Sequence, residues 1–298
     1  MAVRPFLFAQ RAGLQGIADL GGKIMNKNQP IGVIDSGVGG LTVLKWLKAK
    51  MPHEDFIFIG DTARTPYGNR SREEITRFVG DMTAYLNECR IKQLVVACNT
   101  ITVLGTDTIR GDYDFTVIGM DKGGQLVPSL TKNKRVGFFA TDFTVSTGAH
   151  KKAIQAVDPS IQVFGQGCPK FVPLIEGERF GSPELKAAIK EYADKLRQHQ
   201  VDTVLLSCTH YPFVRQEIEE EFGPSVTVVD PAEQTTLNAI ADLEARGLAK
   251  TAGEGSVDIC FTADLERGRR LAARMLDPKD CRFHLIDLKA EPSISAAV

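Results

Sequence analysis

The chain has 298 residues, with 36 lysines and arginines against 37 aspartates and glutamates, 43% hydrophobic and 24% charged. These proportions exclude intrinsic disorder, a collagen-like repeat and a disulfide scaffold, and the length predicts two domains or one large α/β unit. A formal net charge of -1 gives no global attraction to nucleic acid or to an anionic membrane, and no apolar run approaches the ~18 residues of a bilayer span.

Residues 1–30 are mildly basic and lack the apolar stretch of a secretory signal. With Met25 just ahead of the first strand pattern, they read as a poorly structured N-terminal extension from an upstream start rather than a transit peptide. Short apolar runs then predict strands at 31–35, 56–60, 94–97, 115–119, 136–140, 161–165, 203–207 and 226–230. Helical patterns fall between them. A helix is expected over 41–50; Ile75, Phe78, Val79, Met82 and Leu86 mark another within 72–90, and Leu185, Ile189, Tyr192 and Leu196 a third within 183–200. Nearly continuous apolar strands separated by helices predict an α/β fold with mostly parallel sheets covered on both faces.

Asp35-Ser36-Gly37-Val38-Gly39-Gly40 follows the first strand and opens a helix. It fails as a dinucleotide loop because Thr42 stands where the third glycine is required. Its glycines instead let backbone amides approach a small anion such as a carboxylate. Asp35 either caps that helix or orients a thiol or a substrate ammonium. In the next loop, 60–68, Arg64 invites a carboxylate-clamp role or a structural one. Tyr67 and Gly68 present a hydroxyl and a backbone N–H suited to a substrate carboxylate. Thr141 and Thr144 flank Asp142 after a later strand, as helix caps or substrate contacts. Glu176 ends a proline-stiffened loop, placed to support His210 or to be solvated.

The six cysteines are scattered, which predicts free thiols in a reducing, cytoplasmic setting. No Cys-x-x-Cys occurs, so neither a metal site nor a thioredoxin-like motif is expected. Two segments echo each other: LVVACNT (94–100) and TVLLSCTH (203–210) are each an apolar strand, a cysteine and small polar residues. A buried small hydrophobe is the usual reading of a cytosolic cysteine and suits Cys89, Cys260 and Cys281. Cys98 and Cys208 fit it less well, since each stands where a strand ends and a helix should begin. A helix N-terminus there is expected to lower the thiol pKa toward neutrality. Two tuned thiols, one per lobe, suit a two-base racemase that removes a proton from one face of a carbon and returns one to the other.

IGVIDSGVGGLTVL (31–44), GDTARTPYG (60–68), ACNT (97–100), CPKFVPLIE (168–176), LLSCTHYP (205–212) and VDPA (229–232), in this order, resemble the glutamate racemase family. The resemblance implies two flavodoxin-like lobes related by pseudo-twofold symmetry, with the active site in the cleft between them. The first lobe would comprise 31–122 with 231–298, and the second 123–230. It implies cofactor-independent, metal-free interconversion of L- and D-glutamate by a homodimer, supplying D-glutamate for peptidoglycan. Carried over at matching positions, Cys98 and Cys208 would be the acid/bases, assisted by Asp35 and His210, with Glu176 behind His210. Asp35, Ser36, Tyr67, Gly68, Asn99, Thr100, Thr141, Thr144, Thr209 and His210 would hold the amino acid. Alternatives are a racemase of aspartate or another acidic amino acid, and a non-catalytic ligand-binding relative. The chain departs from the family pattern at 119–124 and 101–110, away from both thiols.

Overall fold

A computed structural model describes residues 25–105, 109, 113–290 and 292. The expected N-terminal extension lies, for residues 1–24, outside the described residues, as does part of the unusual 101–110 segment. The first half runs β1 (Ile31–Asp35), α1 (Leu41–Lys50), β2 (Phe56–Gly60), α2 (Arg72–Glu88), β3 (Gln93–Val96), α3 (Asn99–Leu104) and β4 (Thr116–Gly119). Then follow α4 (Val127–Leu130), β5 (Arg135–Ala140), α5 (Asp142–Ser146), α6 (Ala149–Val157), β6 (Gln162–Gly167), α7 (Phe171–Glu176) and α8 (Pro183–Arg197). The chain continues through β7 (Thr203–Ser207), α9 (Arg215–Phe222), β8 (Thr227–Val229) and α10 (Ala232–Ala245). It closes with β9 (Val257–Phe261), α11 (Leu265–Ala272) and β10 (Arg282–Leu285).

Local signals set these elements. Ser71 caps α2 by accepting from the Glu74 amide while the Glu74 carboxylate accepts from the Ser71 amide. The apolar stripe predicted for this helix is its buried face. Ser182 caps α8 by accepting from the Leu185 amide, with Pro183 at the first helical position, where its missing N–H costs nothing.

The strands form two sheets, and every pairing is parallel. One sheet has six strands in the order β10-β9-β2-β1-β3-β4, and the other has four, β6-β5-β7-β8. The arrangements β2-β1-β3-β4 and β6-β5-β7-β8 share one topology. In each, the chain steps to one side of the first strand and then crosses to the other. The crevice at the carboxyl end of such a switch point is where open α/β sheets bind ligands. Here the two crevices lie beyond β1/β3 and β5/β7, the strands that end at Asp35, at the residues before Cys98, at Ala140 and at Ser207.

The α/β reading with parallel sheets holds, and the predicted strands fall within one or two residues of those observed. Two strands escape the sequence reading. β9 and β10 extend the first sheet beyond β2, although β10 is polar on its face. Arg282 Nη2 lies 2.6 Å from Asp258 Oδ2, and His284 Nε2 2.8 Å from Asp258 Oδ1, so a cross-strand ion pair and a hydrogen bond replace the apolar alternation that marks a strand. Just before β3, the fully buried Lys92 donates to Glu54, to the Lys27 carbonyl at 2.7 Å and to the Leu248 carbonyl at 3.0 Å. All three donor positions of the ammonium are thereby matched. Among the described residues no helix is long and apolar enough to cross a membrane.

His150, in α6, is completely buried, stacks on Phe138 at a centroid distance of 5.0 Å, and has no hydrogen-bond partner for either ring nitrogen. Burial, aided by the Lys122 charge, pushes its pKa down to about 3. The unfolded chain therefore binds a proton near the ordinary value of about 6.5 that the folded chain refuses, and stability present above that pH is lost as pH falls toward 3. Replacing His150 by Leu should remove about 2–3 kcal/mol of the destabilisation that develops between pH 6.5 and 4.5. Urea midpoints against pH for the two proteins would show it. Parallel curves would mean that the imidazole is hydrated or paired in solution.

Candidate active site

The loops after β1, β3, β5 and β7 meet between the two sheets. The turn at 35–40 is anchored by Asp35, whose Oδ1 accepts the Gly37 amide at 2.8 Å and whose Oδ2 accepts the Thr209 hydroxyl at 3.1 Å. Gly37 and Gly39 are glycines because the other half of the molecule lies directly on them. A Cβ at Gly37 would stand 2.6 Å from Glu176 Oε1, and one at Gly39 would stand 2.5 Å from both His210 Nδ1 and Thr209 Oγ1. The Val38 amide faces Glu176 Oε1 at 3.5 Å. The turn thus does admit a carboxylate, as its glycines predict, and one that approaches it is the protein's own Glu176.

Cys98 follows β3 at the N-cap of α3 and donates to the Ser36 hydroxyl at 3.6 Å. Cys208 follows β7, with its sulfur 4.0 Å from His210 Nδ1. Instead of opening a helix directly, the Cys208 loop turns through a short 3-10 segment, Tyr211–Val214, before α9. Both thiols are buried. The expected lowering of the thiol pKa is overturned at Cys98: burial, followed by the neighbouring Asp35 charge, pushes it up to about 12. A six-residue helix offers too little positive potential to offset removal from water. The charge of Cys208 adds to the same rise.

His210 is the hub of the second half-site. Its Nε2 donates to Glu176 Oε1 at 2.8 Å while its Nδ1 faces Cys208. Burial opposes a charge on the ring, but Cys208 and Glu176 outweigh it and hold the imidazolium well above its usual range. Burial likewise opposes ionisation of Glu176, yet the His210 contact and then the Arg267 charge keep its carboxyl below the ordinary value. Asp35 is completely buried, and desolvation raises its pKa despite His210, two backbone amides and Thr209.

The threonines form a second bridge between the sheets. Thr100 Oγ1 lies 3.1 Å from Thr141 Oγ1 and 3.4 Å from Thr144 Oγ1, and Thr141 also caps α5 by accepting the Thr144 amide. The cap reading of Thr141 holds, and its hydroxyl also meets Thr100. Gly68 faces this cluster, and a Cβ there would meet the Thr141 side chain at 2.9 Å. Tyr67 departs from expectation. Its buried hydroxyl donates to Asp61, so it is not directed at a ligand. Arg64 is engaged as well, by Asp61 at 2.5 Å and Asp81 at 2.6 Å, which makes it structural.

Both polar atoms of Asn99 are buried without a hydrogen-bond partner, and so is the Thr65 hydroxyl beside Gly37. Buried amides are nearly always paired, so an unpaired one at a strand's carboxyl end makes Asn99 a candidate for contact with a ligand. Thr65 and Arg267 were not singled out from the sequence, where nothing distinguishes them from other loop and helix residues. Among the described residues no cluster of three or more His, Cys, Asp or Glu side chains is arranged to hold a metal.

The profile of the Asp/Glu/hydantoin racemase family matches residues 41–238. Glutamate racemase 2 of Caldanaerobacter subterraneus subsp. tengcongensis is 38% identical over 263 residues, covering 88% of this chain and 98% of its own. A glutamate racemase isoform of Bacillus anthracis superposes with a TM-score of 0.84 at 30% identity, covering 89% of this chain and all of its own. The Francisella tularensis glutamate racemase, solved with D-glutamate, gives 0.80 at 30% identity, covering 88% and 99%. By profile, sequence and fold, the chain belongs to the Asp/Glu/hydantoin racemase family, among the glutamate racemases.

Proposed function

We propose that the chain interconverts L- and D-glutamate with Cys98 and Cys208 as its two acid/bases. The observation that carries this reading is the placement of both sulfurs at equivalent switch points of two like-folded sheets, each beside groups able to manage a proton. In each turnover one thiolate takes the α-proton, breaking Cα–H and forming S–H. The opposite thiol gives up its proton to the other face of the carbanion-like centre. The enzyme is left with thiol and thiolate exchanged and no net redox change.

A thiol raised to about 12 is almost wholly protonated at neutral pH. The substrate's ammonium supplies the missing positive charge on the Cys98 side, where Asp35 and Ser36 stand. On the Cys208 side, His210 and Glu176 provide it from the protein. Asn99, Thr100, Thr141, Thr144, Thr209 and the Gly68 backbone line the space for the amino acid, while Tyr67 shapes it through Asp61. Residues 31–122 with 231–298 and residues 123–230 act as the two lobes, a division supported by the membership of the two sheets. Cytoplasmic supply of D-glutamate for peptidoglycan, and a homodimeric assembly, follow from the family resemblance.

Conversion of L-glutamate to D-glutamate without added cofactor, approaching a 1:1 mixture, tests the reading, with L-aspartate as the competing substrate. Faster turnover of aspartate would reassign the substrate. Cys98→Ser and Cys208→Ser should each lower kcat by about 10²–10⁴-fold, and full activity in both variants would end the two-thiol mechanism. Asn99→Leu should weaken kcat/KM by about 10- to 100-fold while leaving thermal stability unchanged or raised, because it removes a buried unpaired amide. A loss of stability instead would mean that the amide is paired within the protein.

A further inference from the structure

Helix α11 belongs to the six-stranded half, yet one of its faces grips the four-stranded half. Arg267, Arg270 and Arg274, spaced by three and four residues, lie on one side of this helix and its extension. They meet alternate residues just at and beyond the end of α7. Arg267 Nη2 lies 3.9 Å from Glu176 Oε2, Arg270 Nη2 lies 2.6 Å from Glu178 Oε1, and the Arg274 guanidinium sits 3.8 Å above the Phe180 ring. Phe180 in turn stacks on Phe213, three residues after His210. Glu178 is held in the left-handed region at φ 55°, a conformation that costs a non-glycine residue energy and persists where surrounding contacts fix it.

The Arg267 contact differs from the other two. It is an ion pair without a hydrogen bond: Glu176 Oε2 and Arg267 Nε are both buried and have no hydrogen-bond partner, the latter with Asp264 Oδ2 at 3.4 Å. Glu176 Oε1 is meanwhile occupied by His210, whose other nitrogen faces Cys208. A linear chain therefore runs Arg267–Glu176–His210–Cys208, from one half of the molecule into the other. Among the described residues, the groups that act on Cys98 are Ser36, the Ile101 backbone and, through charge, Asp35 and Cys208, with no arginine among them.

We infer that Arg267 is a positioning residue for one half of the racemisation, holding Glu176 against His210 so that proton transfer at Cys208 depends on it and proton transfer at Cys98 does not. Arg270 and Arg274 keep α11 seated on the other lobe. The inference rests on the racemase reading above, and the guanidinium acts only through Glu176 and His210.

Glutamate carrying deuterium at Cα, assayed in ordinary water from each enantiomer, separates the two half-sites, because the deuteron is taken by one thiol and the returned proton comes from the other. Arg267→Gln should lower kcat/KM about tenfold or more in both directions alike, since the equilibrium constant stays at one. Its deuterium effect should rise in the direction where Cys208 abstracts and fall toward unity in the opposite direction. Arg267→Lys, which keeps the charge, should restore most of the rate. Arg270→Ala, a packing control, should move both isotope effects in the same sense or leave both unchanged. Rates for Arg267→Gln within twofold of the unsubstituted protein, or isotope effects that shift together in a folded variant, would overturn the inference while leaving the racemase reading intact. Absence of any glutamate exchange by the unsubstituted protein would overturn both.

Discussion

The structure depends on a backbone turn from one sheet being pressed against charged side chains from the other. At Gly37 and Gly39 there is no room for a single methyl group between the first-sheet turn and Glu176, Thr209 or His210. That closeness lets Asp35 accept a hydroxyl from Thr209 and brings Glu176 to the Val38 amide. It also excludes water from all of them, which makes every charge in the cleft strong and every unpaired group costly. A side chain at either glycine would have to displace Glu176, Thr209 or His210 from its present position.

Exclusion of water explains why the thiols are arranged as they are. A helix N-terminus alone does not ionise Cys98, since desolvation dominates and leaves the thiol at about 12. Ionisation then requires a cation beside the sulfur. Cys208 and Glu176 raise the pKa of His210 well above its usual range, so that side has a cation-forming group built into the protein. Among the described residues, the Cys98 side has an aspartate and a serine and no cation of its own in contact.

Much of this was legible in the sequence because the relevant signals are local. A strand followed by a glycine turn, or by a cysteine and hydrogen-bonding residues, is a pattern of neighbours, and the two echoing cysteine segments lie at the same place in two equal topologies. What was not legible depends on partners far along the chain. The turn glycines signal a close approach but cannot say that the approaching group is Glu176, 138 residues from Val38. The Tyr67 hydroxyl looks available until Asp61 is seen to hold it. β10 reads as polar until Asp258 is placed beside Arg282 and His284. Arg267 sits in a short charged helix whose sequence is that of a solvated surface, and only the fold brings its half-buried guanidinium to Glu176.

Duplicated topology does not make the two half-sites chemically equal, and the reaction does not require it. Mirror-image amino acids have the same free energy in water, which fixes the ratio of kcat/KM in the two directions at one. That equality constrains the end states and says nothing about how the barrier is divided between two proton transfers. One sulfur can be served by a relay of imidazolium, carboxylate and guanidinium while the other relies on the substrate's own charge, and the equilibrium is untouched. The pseudo-twofold scaffold supplies what symmetry must supply, a sulfur at the switch point of each sheet. The loops on that scaffold are free to diverge, and α11, which crosses from one half to grip Glu176, Glu178 and Phe180 in the other, has no counterpart on the Cys98 side among the contacts of Cys98, Ser36 and Asp35. Asymmetry in the helpers is thus compatible with symmetry in the outcome, and it gives each thiol a separately adjustable environment.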